Sequence, residues 1–162
     1  LDWSAADLSE AQQTRLLEAC EEHAASAGVY AIVQGRFART NQTTPNPRLG
    51  RFVINEAWLA EGDMVSRGSF VRVVDTGVRC FAAPCPSITE TSLNMWGSTD
   101  IAGIDWTPAK LNDDQIGECI ENMSTPDGLL VAGSRYAITG EAGTAPGRVA
   151  TAAYYRLTDD EK

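Results

Sequence analysis

Leu129-Leu-Val-Ala-Gly-Ser-Arg-Tyr-Ala-Ile138 and Arg148-Val-Ala-Thr-Ala-Ala-Tyr-Tyr-Arg-Leu157 are the two stretches that decide the fold class. The first carries Val131, Ala137 and Ile138. In the second, Val149, Thr151, Ala153, Tyr155 and Leu157 recur at every other position. A period of two places side chains on one face of a β-strand, so both stretches read as strands. Gly143-Thr-Ala-Pro-Gly147 between them suits a hairpin loop, because glycine and proline supply the backbone angles a reversal needs. The tail Thr158–Lys162 is polar and is expected to fray.

The same signature extends upstream. Val29, Ala31, Val33 and Phe37 alternate with more polar neighbours, and segments 51–59, 69–75, 87–93 and 101–106 read as further short strands. Gly62, Gly68, Gly77 and Gly97 punctuate them, and residues 39–50, with Pro45, Pro47 and Gly50, read as a long loop. Two segments break the pattern. Ser9 and Gln12 form a capping box ahead of Leu16, Leu17, Cys20 and Ala24, which predicts a helix over 9–27 stopping at Gly28. Asn112 with Gln115 forms a second box, Asp113 and Asp114 suit the positive end of a helix dipole, and Ile116, Cys119, Ile120 and Met123 make an apolar stripe. Pro126-Asp-Gly128 marks the turn that follows.

One helix, five strands, one helix and two strands make about seven strands in all. Short strands with few helices between them argue against a parallel sheet. The expected class is therefore α+β and mostly β: a small antiparallel barrel of OB-like type, or a sandwich, with an N-terminal helix and one inserted helix. Residues 1–162 are expected to form a single domain, with 1–8 as an arm. A chain of 17.4 kDa should remove roughly 69% of its unfolded surface from water on folding, enough for a real core.

Charge narrows the partners. Twenty-two acids stand against 13 Lys and Arg, for a net charge of −9, which disfavours nucleic acid. No apolar run approaches the ~20 residues of a membrane-spanning helix. An unidentified protein, small-molecule or glycan ligand remains.

The four cysteines, at 20, 80, 85 and 119, suit disulfides in an oxidising compartment. The expected pairs are Cys80–Cys85, closing a short ring, and Cys20–Cys119, joining the two helices. Loop entropy assigns roughly 2 kcal/mol to the short bridge and nearly 5 to one closing about 100 residues. Zinc on Cys20, His23, Cys80 and Cys85 is the rival reading, against which stand the wide spacing and the single histidine. Leu1-Asp-Trp-Ser4 lacks the basic and apolar regions of a signal peptide and is consistent with a mature chain whose leader has been removed. Extracellular or periplasmic location is expected, with a lipid-anchored precursor as one form. Asn41-Gln-Thr43 and Asn122-Met-Ser124 match the glycosylation sequon.

Residues with catalytic chemistry are sparse. His23 is the single histidine and reads as structural. No G-x-S-x-G elbow, H-E-x-x-H or P-loop occurs, so no catalytic residue, metal or cofactor is expected. Asp113, Asp114 and Glu118 lack a calcium-loop pattern and read as capping charge. Trp3, Trp58, Trp96 and Trp106 are candidates for sugar stacking, though most should pack in the core. Asp105 beside Trp106, with Glu56 and Asp75, supplies the carboxylates that a hydrolase or sugar-acting enzyme would need.

The most distinctive stretch is Arg79-Cys-Phe-Ala-Ala-Pro-Cys-Pro-Ser87. A six-residue disulfide ring stiffened by proline is rigid, and rigidity lowers the ordering cost of binding. Arg79, Phe81, Ala82, Ala83 and Pro84 are therefore the candidate binding residues. Its motif Cys80-Phe-Ala-Ala-Pro-Cys-Pro-Ser87 leads into Ile88-Thr-Glu-Thr-Ser-Leu-Asn94, followed by Ile104-Asp-Trp106, Gly128-Leu-Leu-Val-Ala-Gly133 and Tyr154-Tyr155. Over roughly residues 29–157 the chain resembles a family of small exported bacterial domains of unknown function with a cysteine–proline–cysteine–proline motif. The resemblance implies export and a β-rich fold and supplies no activity. Cys20 and Cys119 lie outside its motif.

The leading expectation is an exported, non-enzymatic binding module that presents the Cys80–Cys85 ring. A protease inhibitor offering Phe81–Ala83 in an extended shape is one version. The alternatives are a secreted hydrolase or sugar-acting enzyme and a structural envelope protein.

Overall fold

A computed structural model describes residues 2–6, 8–25, 28–38, 50–62 and 64–158. Residues 39–49 of the loop expected over 39–50, with the Asn41 sequon, and the tail beyond Thr158 lie outside the described residues. The elements are α1 (Glu10–Glu22), β1 (Ala31–Ala38), β2 (Arg51–Glu61), β3 (Ser69–Asp75), β4 (Ile88–Ser92), β5 (Ser98–Ile101), β6 (Ile104–Asp105), α2 (Asp113–Met123), β7 (Leu129–Gly140) and β8 (Gly143–Arg156). The chain is thus mostly β and antiparallel, with an N-terminal helix and one inserted helix. Among the described residues it has eight strands rather than seven: β5 falls mostly ahead of the strand expected over 101–106, of which Ile104–Asp105 forms β6 after a break at Ala102-Gly103.

Chain contacts group the residues into two compact units, each discontinuous in sequence. The first takes Leu1–Ser26, Tyr30–Leu59 and Arg156–Lys162. Its helix begins as the sequence requires. The Ser9 side chain accepts from the Gln12 backbone while the Gln12 side chain accepts from Ser9 N–H. The helix ends at Glu22, five residues short of the expected boundary, and His23 caps it. Gln12 and Leu16 are its buried residues, and the Gln12 amide is satisfied by donating to Thr158 O. Leu17 and Cys20, expected on the apolar face, are exposed. The β1–β2 pairing skips a residue between Gln34 and Gly35. Val53, Ile54, Ala57, Trp58 and Leu59 on β2 are buried, as are Leu16 and Leu157.

The second unit takes Ala27–Val29 and Ala60–Tyr155. Its antiparallel path runs β8-β7-β3-β4-β5, and β6 sits on β8 in parallel register. This ladder does not close on itself, so of the two architectures the sequence left open, the layered, sandwich-like one is found and the barrel is not. α2 covers one face: Cys119 and Met123 pack with Val71, Val73, Leu129, Val131, Ala150 and Ala153. The capping box of α2 forms as expected, from Asn112 and Gln115.

The last two strands correct the sequence reading twice. Residues 143–147 are not a loop; they belong to β8, and the reversal is made by Glu141-Ala142. The pairing of β8 with β7 also jumps, from Ala152 opposite Ala132 to Ala150 opposite Gly133, leaving Thr151 as an extra residue. Such a bulge switches which side chains face inward. Ala153 and Ala150 consequently share the core face, three residues apart, and Val149 is not on it. Thr151 Oγ1 uses its displaced position to donate to Arg67 O and to accept from Arg67 N–H at 2.9 Å.

Glycine makes this crossing possible. A Cβ on Gly133 would lie 2.0 Å from Val149 O, and Gly68, at φ +90°, approaches the Gly133 carbonyl so closely that its own Cβ would meet it at 2.3 Å. Gly133→Ala should therefore destabilise the protein by about 1–3 kcal/mol or more, through enforced backbone displacement. Gly117→Ala on α2, where a Cβ meets nothing within 4 Å, should instead stabilise by about 0.5–1 kcal/mol. Urea unfolding of both variants measures the two shifts, and their signs should be opposite.

Candidate functional site

The ring between β3 and β4 is held at its neck, its bridge and its far side. At the neck, Asp75 Oδ1 and Oδ2 accept from Arg79 Nη1 and Nη2 at 3.0 and 2.8 Å, and Gly77 N–H adds a third bond at 2.8 Å. Thr76 donates its N–H and hydroxyl to Ser87 O, both at 2.9 Å. Cys80 and Cys85 are bridged, with Cα atoms 5.6 Å apart. On the far side Ala142 N–H donates to Ala83 O at 2.8 Å, so the ring rests on the β7–β8 turn. Glycine at 140 permits that contact, since a Cβ there would lie 2.7 Å from Ala83 O.

The candidate binding residues divide accordingly. Pro84 is buried, Ala82 half-buried, and Ala83 and Arg79 exposed. Phe81 stands fully in solvent. Arg79 is committed to Asp75, whose carboxyl lies below its ordinary value because Arg79 and the Gly77 N–H stabilise its charged form.

The expected Cys20–Cys119 bridge is absent. Both are free thiols: Cys20 is exposed on α1, and Cys119 is buried on α2. Burial first, then the charges of Glu61 and Glu118, push the Cys119 thiol up to about 12. With Cys80 and Cys85 joined to each other, the zinc set of the rival reading does not assemble. His23 stacks on Tyr30, ring centroids 3.8 Å apart, and acts as a packing residue. Of the tryptophans, Trp58 is buried, Trp106 packs against the core, and Trp96 is fully exposed in the turn between β4 and β5.

Each carboxylate considered for catalysis is tied to a neighbour of its own. Asp105 accepts from Thr107 N–H at 2.9 Å, and its carboxyl is lowered by the Thr107 side chain and backbone. Glu56 pairs with Arg156 at 3.3 Å. Asp75 holds Arg79. Neither Asp75 nor Asp105 has the raised value that a general acid requires.

The strongest electrostatic feature was missed by the sequence reading. Glu90 on β4 is 1% exposed and Arg148 on β8 is 2% exposed, and Arg148 Nε donates to Glu90 Oε2 at 2.6 Å. Arg135 on β7, half-exposed, donates its Nε to Glu90 Oε1. Arg148 also reaches Ser69 O and Oγ through Nη1, at 3.5 and 3.4 Å. Arg135 and Arg148 are direct cross-strand partners, an arrangement that is unfavourable for like charges unless a counter-charge lies between them. Glu90 is that counter-charge. Burial pushes its carboxyl up, and the hydrogen bonds from Arg148 and Arg135 more than reverse the effect, so it titrates below its ordinary 4.5. Nothing in the local sequence marks the triad; an Arg or Glu within a strand reads as an outward-facing residue.

A family model described as "Domain of unknown function (DUF6748)" matches residues 2–160. The chain belongs to that family. The match extends beyond the 29–157 covered by the sequence resemblance and takes in α1. No curated protein and no solved structure matches the chain. Among the described residues, no helix is long and apolar enough to cross a membrane.

Two outcomes test this geometry. Thiol labelling of the folded protein should modify Cys20 alone, and labelling after unfolding without reductant should add Cys119 and leave Cys80 and Cys85 unmodified. Glu90→Gln should cost about 3–5 kcal/mol at neutral pH, because it leaves buried guanidinium without its counter-charge. The wild-type contribution of Glu90 is fully present above pH 4.5 and is lost as pH falls through its lower folded value, so the wild-type stability should drop on the acid side. The variant should lack that part of the slope. Urea titrations at a series of pH values measure it.

Proposed function

We propose that the protein is an exported binding module whose contact residue is Phe81, presented to an apolar pocket on a protein partner. The observation that carries this reading is a fully exposed aromatic ring at the tip of a loop held by a disulfide, a bidentate ion pair and backbone bonds. An exposed Phe is costly to leave in water, and one mounted on a pre-ordered loop loses little freedom when it is buried. Aromatic side chains entering pockets dominate binding energies at protein interfaces. The net charge of −9 favours a neutral or basic partner.

The Cys80–Cys85 bridge supports export, since such bonds persist in oxidising compartments. The cysteine–proline–cysteine–proline ring and a bacterial source belong to the same reading. The protease-inhibitor version has less support. Phe81–Pro84 runs through consecutive bends, and a peptide in an active-site cleft is extended.

The test is retention of a partner from the extracellular or periplasmic fraction of the source organism on immobilised protein. Phe81→Ala, which removes no internal contact, should weaken retention by about 30-fold or more, the equivalent of a hot-spot loss of at least ~2 kcal/mol. Cys80→Ser/Cys85→Ser should weaken it less and lower stability by ~2 kcal/mol. Equal retention by wild type and Phe81→Ala would contradict the proposal.

A further inference from the structure

The triad of buried Glu90, buried Arg148 and half-exposed Arg135 holds two cations and one anion, a local excess of one positive charge in a chain of net charge −9. The excess sits at the surface end. Arg148 is enclosed and places Nε on Glu90 and Nη1 on Ser69, whereas Arg135 is half-exposed and places Nε on Glu90. A guanidinium has two hydrogen-bonding edges, and the edge formed by its terminal nitrogens matches a carboxylate in bidentate fashion.

Arg135 borders a depression of about 330 Å³ on the β7–β8 hairpin, lined also by Tyr136, Ala137, Thr144, Ala145 and Pro146. Cross-strand pairing sets its floor. Ala137 lies opposite Pro146, one step along the same face from the Arg135–Arg148 pair, and Thr139 lies opposite Thr144 a further step on. The face thus runs from a cation, across a flat apolar floor of Ala137 and Pro146, to a pair of hydroxyls 3.1 Å apart. The volume is at the lower end of the range for small-molecule sites.

We propose that this depression binds a small carboxylate with a flat apolar body: the carboxylate on the terminal nitrogens of Arg135, the body on Ala137 and Pro146. Glu90 serves as a positioning residue. It holds the guanidinium by its Nε edge and leaves the other edge toward the ligand, so the site is pre-organised. The inference is independent of the role given to Phe81.

The experiment is a titration of the full chain with benzoate, followed by amide chemical shifts, with benzamide as the neutral isostere and acetate as the carboxylate without a body. Saturable shifts at Ala137, Thr144 and Ala145 are expected with benzoate, with weaker binding of acetate and of benzamide. Arg135→Gln should weaken benzoate about tenfold or more, the loss of one charge-assisted contact. Ala137→Glu, at an exposed position that leaves the triad intact, should abolish benzoate binding in a folded protein and so separates loss of the site from loss of the fold. Benzamide binding as tightly as benzoate, benzoate binding unchanged in Arg135→Gln, or no saturable shift at the hairpin would overturn the proposal.

Discussion

A carboxylate and a guanidinium, each almost entirely cut off from solvent, meet between β4 and β8, strands separated by two others in the sheet. Charges removed from water are strongly unfavourable unless each meets its counter-charge and its remaining hydrogen bonds. Glu90 and Arg148 therefore constrain the backbone around them. The sheet of the second unit must curl far enough to bring β4 toward β8. Arg148 must point inward, and β3 must begin where Ser69 can receive the far end of the guanidinium. A flat sheet would hold these strands too far apart for the pair to form.

The remaining features of that unit serve the same geometry. The extra residue at Thr151 reverses the facing of β8, so that Ala153 and Ala150 reach the core and Arg148 follows them inward. Without it, the alternation from Ala153 would turn Arg148 outward. Gly133 and Gly68 let three backbones approach at the bulge. Beyond the bulge, β7 and β8 continue as a hairpin whose base carries Arg135 and whose tip supports the disulfide ring. The depression beside Arg135 thus sits on β7 and β8, the disulfide ring between β3 and β4 rests against their turn, and the Glu90–Arg148–Arg135 triad fixes the base of that pair of strands.

Much of this was legible from local chemistry. Both capping boxes, the burial of Cys119 and Met123 within a stripe whose Ile120 is exposed, the 69–75 strand and the Cys80–Cys85 ring each depend on residues close in sequence, and each was found where the spacing put it. The failures have a common origin in distant contacts. The Cys20–Cys119 bridge required Cys20 to lie on the buried face of α1, but that face is set by Gln12 and Leu16, with Gln12 held by Thr158 at the other end of the chain. Glu90 and Arg148 are 58 residues apart, and the bulge that aims Arg148 is invisible to a period-of-two reading because it breaks the period. The Gly143–Gly147 segment was misread for a similar reason: glycine and proline signal a turn locally, whereas here they continue a strand alongside β7.

The direct test of the central constraint is a double-mutant cycle on Glu90 and Arg148, with Glu90→Leu, Arg148→Met and the double variant unfolded in urea at neutral pH. If the pair sets the curl of the sheet, Glu90→Leu strands the buried Arg148 charge, Arg148→Met leaves the buried Glu90 with Arg135 as its one partner, and both are destabilising, while the double change removes both buried charges and recovers much of the loss. The expected coupling is at least about 2 kcal/mol. Single effects that add to the double effect within about 0.5 kcal/mol would show that the two side chains act independently, and would contradict the account.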